Sequence, residues 1–286
     1  MSSYVGGAGV ACKFITSSAR VGDVKVEYFR GGRGSPLLYL HGLGRWAGWD
    51  SDHIGLALRR TVVAPILPGW KSGRLPARVT SVEEYARLLL DFMDSEKIET
   101  VDLVGTSLGG WIAIHMALIS PERVSRLVLS NAMGLDLPDL PASIISGLSE
   151  DDLYAAAFAA KSGMMVATGD FGGMPLNLRE SEMFRHIVHG QRNLEVLSGG
   201  RCGEAGLAER LGSLSPKTLL LWGDQDEIVP LAHGERMQTL IPGSRLVAIE
   251  AAGHCPYKEK PNTFVRLVSD FLLDQEETVA GSRKMA

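Results

Sequence analysis

Short, mostly apolar runs alternate with longer segments of helical periodicity along most of this chain. Such runs are typical of strands that are buried on both faces of a parallel sheet. Strands are therefore predicted at Val21–Phe29, Pro36–Leu40, Thr61–Ala64, Val101–Val104, Val124–Leu129, Thr218–Trp222 and Leu246–Ile249. Because helical segments fall between them, we expect an α/β fold, a mostly parallel sheet with helices on both faces.

The helical segments carry recognisable boundaries. Ser81-Val82-Glu83-Glu84 has the pattern of a capping box, in which Ser81 is the N-cap and Glu84 reaches back to it. Apolar side chains then recur at helical spacing up to Met93. Further helices are predicted at Trp111–Ile119 and, as a closing amphipathic segment, at Phe264–Leu273.

The alternation breaks between Met133 and Ser215. This stretch contains no convincing strand and is rich in methionine and phenylalanine. We interpret residues 133–215 as a helical insertion over the strand ends, with residues 1–132 and 216–286 forming the core. The alternative interpretation is that residues 133–215 are a helical part of the same core. Flexible apolar side chains suit an adaptable pocket, and the side chains expected to bind substrate are Trp70, Met164, Phe171 and Phe184.

Composition narrows the class of protein. The 286 residues carry a net charge of -4 and no Lys/Arg cluster, which argues against nucleic-acid binding. Three distant cysteines, Cys12, Cys202 and Cys255, favour neither a disulfide framework nor a metal site and fit a reducing compartment. Without a signal peptide or a membrane-spanning run, we expect a cytoplasmic protein that acts on a small molecule, needs no cofactor and forms, at most, a homo-oligomer.

The most informative motif is Gly-x-Ser-x-Gly at Gly105, Ser107 and Gly109, between a predicted strand and a predicted helix. This is the context of a nucleophile elbow, a sharp turn that exposes the serine hydroxyl. Glycine on either side removes the Cβ atoms that would clash in such a turn. The following helix would direct its first N–H groups towards the serine. A chance match of common turn residues is the alternative, but both flanking elements favour the elbow.

A nucleophilic serine needs a base, which is usually a histidine held by a buried carboxylate. His254 is the favoured base because it lies in a glycine-proline loop directly after the last predicted strand. His41 also follows a strand, but its glycine neighbours suit a backbone role. His115 lies inside the predicted elbow helix, and His186 and His189 lie in the insertion, where they could contact substrate.

The carboxylate is expected in the loop Gly223–Glu227, which follows a very apolar strand. Asp224, Asp226 and Glu227 all lie there, so the residues alone leave the choice open. Asn131, at the end of the preceding strand, is not an acid and removes one other location.

Two backbone N–H groups should stabilise the anion that forms on attack by the serine. Leu108, which follows the serine, supplies one of them. Leu43, between Gly42 and Gly44 in the loop after Pro36–Leu40, supplies the other. A phosphate-binding reading of this glycine loop lacks the lysine and spacing of a nucleotide site.

Taken together, these motifs make the chain resemble the α/β-hydrolase superfamily. The matching segments are His41–Gly44, Pro68–Trp70, Gly105–Gly110, Trp222–Pro230 and Gly253–His254, in the family order of nucleophile, acid and histidine. The resemblance implies an eight-stranded type of sheet, a cap formed by the insertion, and Asp226 rather than Asp224 as the acid. Two positions depart from the family pattern, since Ile66 replaces a structural aspartate and Lys71 a glycine.

The expected activity is serine hydrolysis of an ester-like bond by Ser107, His254 and Asp226. A carbon–carbon bond hydrolase or a cofactor-free lyase could use the same site. Relatives that cleave carbon–carbon bonds often have asparagine before the nucleophile and tryptophan after the histidine, where this chain has Thr106 and Cys255. A ligand-binding relative without activity is a third alternative, against which the intact set of three residues argues.

Overall fold

The computed structural model describes residues 2–3, 13–43, 48–139, 142 and 182–273, with residues 2–3 and 182–187 described by their backbone. Within these residues, eleven strands are formed: β1 Ser2–Ser3, β2 Phe14–Val21, β3 Val24–Gly32, β4 Pro36–Leu40, β5 Thr61–Pro65, β6 Val101–Thr106, β7 Val124–Ser130, β8 Gly134–Leu135, β9 Gly203–Glu204, β10 Lys217–Gly223 and β11 Arg245–Ile249. The helices are α1 Ser51–Ala57, α2 Val82–Ser95, α3 Leu108–Ile119, α4 Glu182–Ser198, α5 Leu207–Arg210, α6 Leu231–Leu240, α7 Pro256–Glu259 and α8 Pro261–Leu272.

The main sheet has the order β1-β2-β3-β5-β4-β6-β7-β10-β11. Strands β2, β3 and β5 pair antiparallel at one side, and the pairs from β5 through β4, β6, β7 and β10 to β11 are parallel. Strand β1 adds only two residues at the edge. The eight longer strands confirm the expected mixed, mostly parallel sheet.

Side chains alternate between two hydrophobic cores, one on each face of the sheet. Leu38 and Leu40 of β4 belong to one core, together with the buried faces of α2, α3 and α6. Leu37 and Tyr39 of the same strand belong to the other, together with α1, α7 and α8. A strand buried on both faces explains the continuous apolar runs of the sequence.

The parallel register brings the carboxyl ends of the central strands to one edge. Leu40 of β4 is paired with Gly105 of β6, and Thr106 of β6 with Ser130 of β7. Ser130 is in turn paired with Leu221 of β10. The loops that follow β4, β6, β7, β10 and β11 therefore meet at this edge, where α/β proteins place their functional sites.

The structure corrects several boundaries. Most of the strand expected at Val21–Phe29 lies within β3, but Val21 ends β2, a preceding strand that was not predicted. Gly22 adopts a positive φ of 63° in the turn that joins the two strands as a hairpin. Helices α1 and α6 were not predicted; α6 buries only His233, Gly234 and Met237, so its periodic signal is weak.

The predicted insertion contains two short strands that the sequence analysis did not expect. Gly134 pairs with Gly203 and Leu135 with Glu204, in parallel. Of the residues between these strands, the structure describes only 136–139, 142 and 182–202. The domain boundaries at residues 133 and 215 stay a prediction. Among the described helices, none combines the length and apolarity needed to cross a membrane.

Candidate active site

Ser107 occupies the sharp turn between β6 and α3. Its backbone has φ 55° and ψ -120°, a conformation that residues other than glycine seldom adopt. A methyl group added at Gly105 would lie 2.5 Å from Gly109 O, and one at Gly109 would lie 2.3 Å from Leu40 O. The turn therefore has the strained geometry and the close backbone approach of a nucleophile elbow.

His254 connects this serine to a buried carboxylate. Its Nε2 lies 2.8 Å from Ser107 Oγ, and its Nδ1 lies 2.8 Å from Asp226 Oδ2. Since a carboxylate oxygen can only accept, Nδ1 carries the proton and Nε2 accepts from the serine hydroxyl. The three residues are each less than 9% exposed, so bulk water competes little for these bonds.

Backbone groups fix the carboxylate of Asp226. Ile228 N–H and Val229 N–H donate to its Oδ1 at 2.8 and 2.9 Å. Asp224, two residues earlier, is exposed and accepts a long bond of 3.4 Å from Ala252 N–H. Glu227 is also exposed. The structure therefore brings Asp226, and neither of the other two carboxylates, to His254.

Asn131 is a site residue whose contribution the sequence analysis missed. Its side-chain Nδ2 donates to Asp226 Oδ2 at 2.6 Å, on the same oxygen that His254 contacts. In the sequence, this position is informative only as one that cannot supply the acid. Its location at the carboxyl end of β7, next to the other site loops, is the signal that would have identified it.

The loop after β4 lies against the elbow. A methyl group at Gly42 would lie 2.7 Å from Ser107 Cβ, so only glycine permits this approach. His41 serves the backbone, as expected: its Nε2 accepts from Leu67 N–H at 3.0 Å, and its Nδ1 lies 2.8 Å from Gly42 O. Leu43 follows Gly42 directly and is 5% exposed.

Trp70 contacts the loop that follows β4. Its indole N–H donates to Leu43 O at 3.3 Å, and the side chain is only 1% exposed. The two family departures lie nearby: Ile66 N–H donates to Glu27 O at 2.8 Å, and Lys71 Nζ lies 2.6 Å from Glu27 Oε2. These contacts connect the loop after β5 to β3.

Helix α4 of the predicted insertion packs on the loop that follows β5. His189 Nδ1 lies 3.0 Å from Trp70 O, and Asn193 Nδ2 donates to Gly69 O at 3.1 Å. Met164 and Phe171 lie outside the described residues, as do the side chains of His186 and Phe184. The substrate contacts expected of Trp70, Met164, Phe171 and Phe184 stay a prediction.

Two further titratable side chains lie buried away from the serine hydroxyl. His115 faces the core side of α3, and its Nε2 lies 2.9 Å from a Glu204 carboxylate oxygen. Cys255, next to His254, is buried, and this burial raises the pKa of its thiol to about 12. Among the described residues, the imidazole within hydrogen-bond distance of Ser107 Oγ is that of His254, whereas Cys255 Sγ lies 3.5 Å from the Tyr257 hydroxyl.

A buried serine, imidazole and carboxylate in one hydrogen-bonded chain, at the carboxyl edge of this sheet, define a serine hydrolase of α/β architecture. Residues 37–267 match the family model described as "Alpha/beta hydrolase family". The chain belongs to that family, which confirms the resemblance drawn from its motifs.

Relatives of this chain include several hydrolases. The 2-hydroxy-6-oxo-2,4-heptadienoate hydrolase of Pseudomonas putida is 27% identical over 269 residues, which cover 89% of this chain and 95% of that enzyme. The crystal structure of a membrane phospholipase A superposes with a TM-score of 0.74 at 24% identity, covering 91% of this chain and 86% of that one. A meta-cleavage product hydrolase from Pseudomonas fluorescens gives a TM-score of 0.71 at 23% identity, covering 91% and 98%. At these identities the two structures support the fold alone.

Proposed function

We propose that this serine hydrolase cleaves an ester-like bond of a small, mainly apolar molecule through an acyl-enzyme intermediate. The observation that carries this proposal is the unbroken hydrogen-bond chain from Ser107 Oγ through His254 to Asp226, with both distances at 2.8 Å. A serine hydroxyl becomes a nucleophile when a positioned base removes its proton.

In the proposed reaction, Ser107 Oγ attacks the substrate carbonyl while His254 Nε2 takes the hydroxyl proton. Asp226 stabilises the imidazolium that results and keeps Nδ1 protonated. The carbon–oxygen bond of the tetrahedral intermediate breaks, and His254 returns the proton to the departing alcohol. A water molecule, deprotonated by His254, then attacks the acyl group, releasing the acid and restoring the serine hydroxyl.

Leu43 and Leu108 are the proposed backbone donors to the carbonyl oxygen of the tetrahedral intermediate. Leu108 is the first residue of α3, where helical N–H groups have no partner within the helix. Leu43 directly follows Gly42, which lies against Ser107. Donors of this kind act most strongly on the charge that develops in the transition state.

Carbon–carbon bond hydrolysis at the same site is the second candidate. It is favoured by the Pseudomonas putida relative, whose name assigns it a dienoate substrate. Thr106 and Cys255 count against it, because they replace the asparagine and tryptophan often found in relatives of that kind. Hydrolysis of an ester-like bond therefore remains the proposed reaction. We also propose that the cap formed by residues 133–215 encloses the substrate, which would contact Trp70, Met164, Phe171 and Phe184.

Covalent labelling tests the nucleophile. A fluorophosphonate probe should label the intact protein once, and Ser107→Ala should abolish labelling and lower turnover by about 10⁴-fold or more. Ser213→Ala is the matched control, since Ser213 is exposed and its hydroxyl donates to Arg210 O, three residues earlier in the chain. Labelling that survives Ser107→Ala would refute the assignment.

A substrate comparison distinguishes the two candidate reactions. Turnover is measured on a panel of p-nitrophenyl esters with increasing acyl length and on a vinylogous diketone of the ring-fission type. Efficient ester turnover supports the proposal. Turnover of the diketone without ester hydrolysis would replace it with carbon–carbon bond cleavage at the same three residues.

A further inference from the structure

The proposed reaction assigns no role to Asn131, although its side chain contacts the acid directly. Asp226 Oδ2 accepts from Asn131 Nδ2 at 2.6 Å as well as from His254 Nδ1 at 2.8 Å. Asn131 is 1% exposed, so no bulk water can take the place of this amide. The amide, the imidazole N–H of His254 and the two backbone donors to Oδ1 give the carboxylate four hydrogen-bond donors.

The surroundings of the amide determine its orientation. Its nitrogen faces two acceptors, Asp226 Oδ2 and, at 3.4 Å, Gly253 O. Its oxygen accepts from the Ser130 hydroxyl at 3.2 Å. In the reversed orientation, the amide oxygen would face two other oxygens, which is unfavourable. The amide therefore directs its N–H groups at Asp226 Oδ2 and at Gly253 O.

The amide projects from a position at which the backbone is hydrogen-bonded to the sheet. Asn131 follows β7, and its backbone N–H donates to Leu221 O of β10 at 2.9 Å. Its φ of 47° lies in the left-handed region, which asparagine tolerates better than most residues. Asp226 and His254, in contrast, lie on separate loops that follow β10 and β11.

We propose that Asn131 is a positioning residue that holds the Asp226 carboxylate and the loop before His254 in register with each other. This inference rests on the proposed function, because positioning matters only if His254 acts as the base. Backbone bonds fix Oδ1, and the Asn131 amide occupies one of the two acceptor directions of Oδ2. The other direction of Oδ2 then remains for the imidazole N–H.

The amide is removed in two variants. Asn131→Gly deletes it without strain, since glycine adopts positive φ freely, and Asn131→Ala deletes it while keeping a Cβ. A hydrogen bond to a charged group contributes about 1.5–3 kcal/mol, which corresponds to a fall in kcat of roughly 10- to 150-fold, with KM changed less than about twofold. Acylation rates are measured with p-nitrophenyl acetate.

A spectroscopic signature separates positioning from a general loss of stability. The His254 Nδ1 proton, identified by its disappearance in His254→Ala, should give a far-downfield proton resonance that moves or broadens in both Asn131 variants. Thr218→Val is the control: this hydroxyl is buried at the opposite end of β10 and bonds Pro216 O at 2.9 Å. The control should lower Tm while leaving kcat and the resonance unchanged.

The inference is overturned if both Asn131 variants lower Tm but keep kcat within about twofold and leave the resonance in place. Failure of the proposed function looks different, since the wild-type protein would then escape fluorophosphonate labelling. The resonance would still report in that case whether Asn131 controls the Asp226–His254 contact. Normal labelling with a shifted resonance and reduced kcat supports both proposals.

Discussion

Replacement of Asp226 by asparagine tests the geometry around His254 most directly. Ile228 N–H and Val229 N–H donate to Oδ1, so they hold the oxygen of the new amide at that position. The NH₂ group then occupies the Oδ2 position, where it faces His254 Nδ1 and Asn131 Nδ2. An N–H opposite Nδ1 favours the tautomer with the proton on Nε2, which cannot accept from Ser107.

The size of the effect follows from the hydrogen bonds involved. Reversing the new amide to restore the active tautomer would give up two backbone bonds of about 1 kcal/mol each but would regain the bond from Asn131 Nδ2. A net difference of about 1 kcal/mol leaves roughly 15% of molecules in the active arrangement. Loss of the negative charge beside the imidazolium lowers the rate further, so we expect a total fall in kcat of about 10⁴-fold, equivalent to about 5 kcal/mol.

Stopped-flow acylation by p-nitrophenyl acetate measures this loss, with Tm as the check on folding. Asp224→Asn is the matched control, because Asp224 is exposed and its bond from Ala252 N–H is long, at 3.4 Å. The control should change kcat by less than about tenfold. Asp226→Asn activity within tenfold of the wild type, or a larger loss in the control, would refute the reasoning.

Two further predictions concern residues next to the site. In Gly42→Ala, the added methyl group would lie 2.7 Å from Ser107 Cβ and 3.1 Å from Thr106 O; displacement of the loop that carries Leu43 should lower kcat by roughly 10- to 100-fold. Gly212→Ala is the control, because its methyl group would lie 3.9 Å from the nearest atom, and equal kcat values for the two variants would contradict the prediction. Because the pKa of Cys255 is raised to about 12, only a fraction of about 10⁻⁴ of this thiol is ionised at pH 8. Mass spectrometry after iodoacetamide treatment should therefore find the Cys255 peptide unmodified in the native protein and alkylated after denaturation. Rapid alkylation of the native protein would argue against burial of the thiol.

The sequence predicted the central architecture because its signals are local. The runs Pro36–Leu40 and Thr218–Trp222 lie within β4 and β10, and the elbow at Ser107 lies between β6 and α3 as expected. Hydrophobic periodicity and the steric demands of a sharp turn act over a few residues, so they can be read without the fold. Elements with few buried residues, such as α6, leave too weak a periodicity to detect.

The composition of the site required the tertiary structure. Asp224 and Asp226 lie two residues apart in one loop, and the local pattern alone does not distinguish them. Resemblance to the family favours Asp226, and in the structure the Asp226 carboxylate is the one that contacts His254 Nδ1. The Asn131 contact joins residues 95 positions apart in the chain. Such contacts arise when parallel pairing brings the ends of β6, β7, β10 and β11 to one edge. Which side chains lie at strand ends follows from the sequence, because the ends of a strand depend on neighbouring residues. Which of these side chains come into contact follows only from the folded sheet, because their contacts depend on strand order and register.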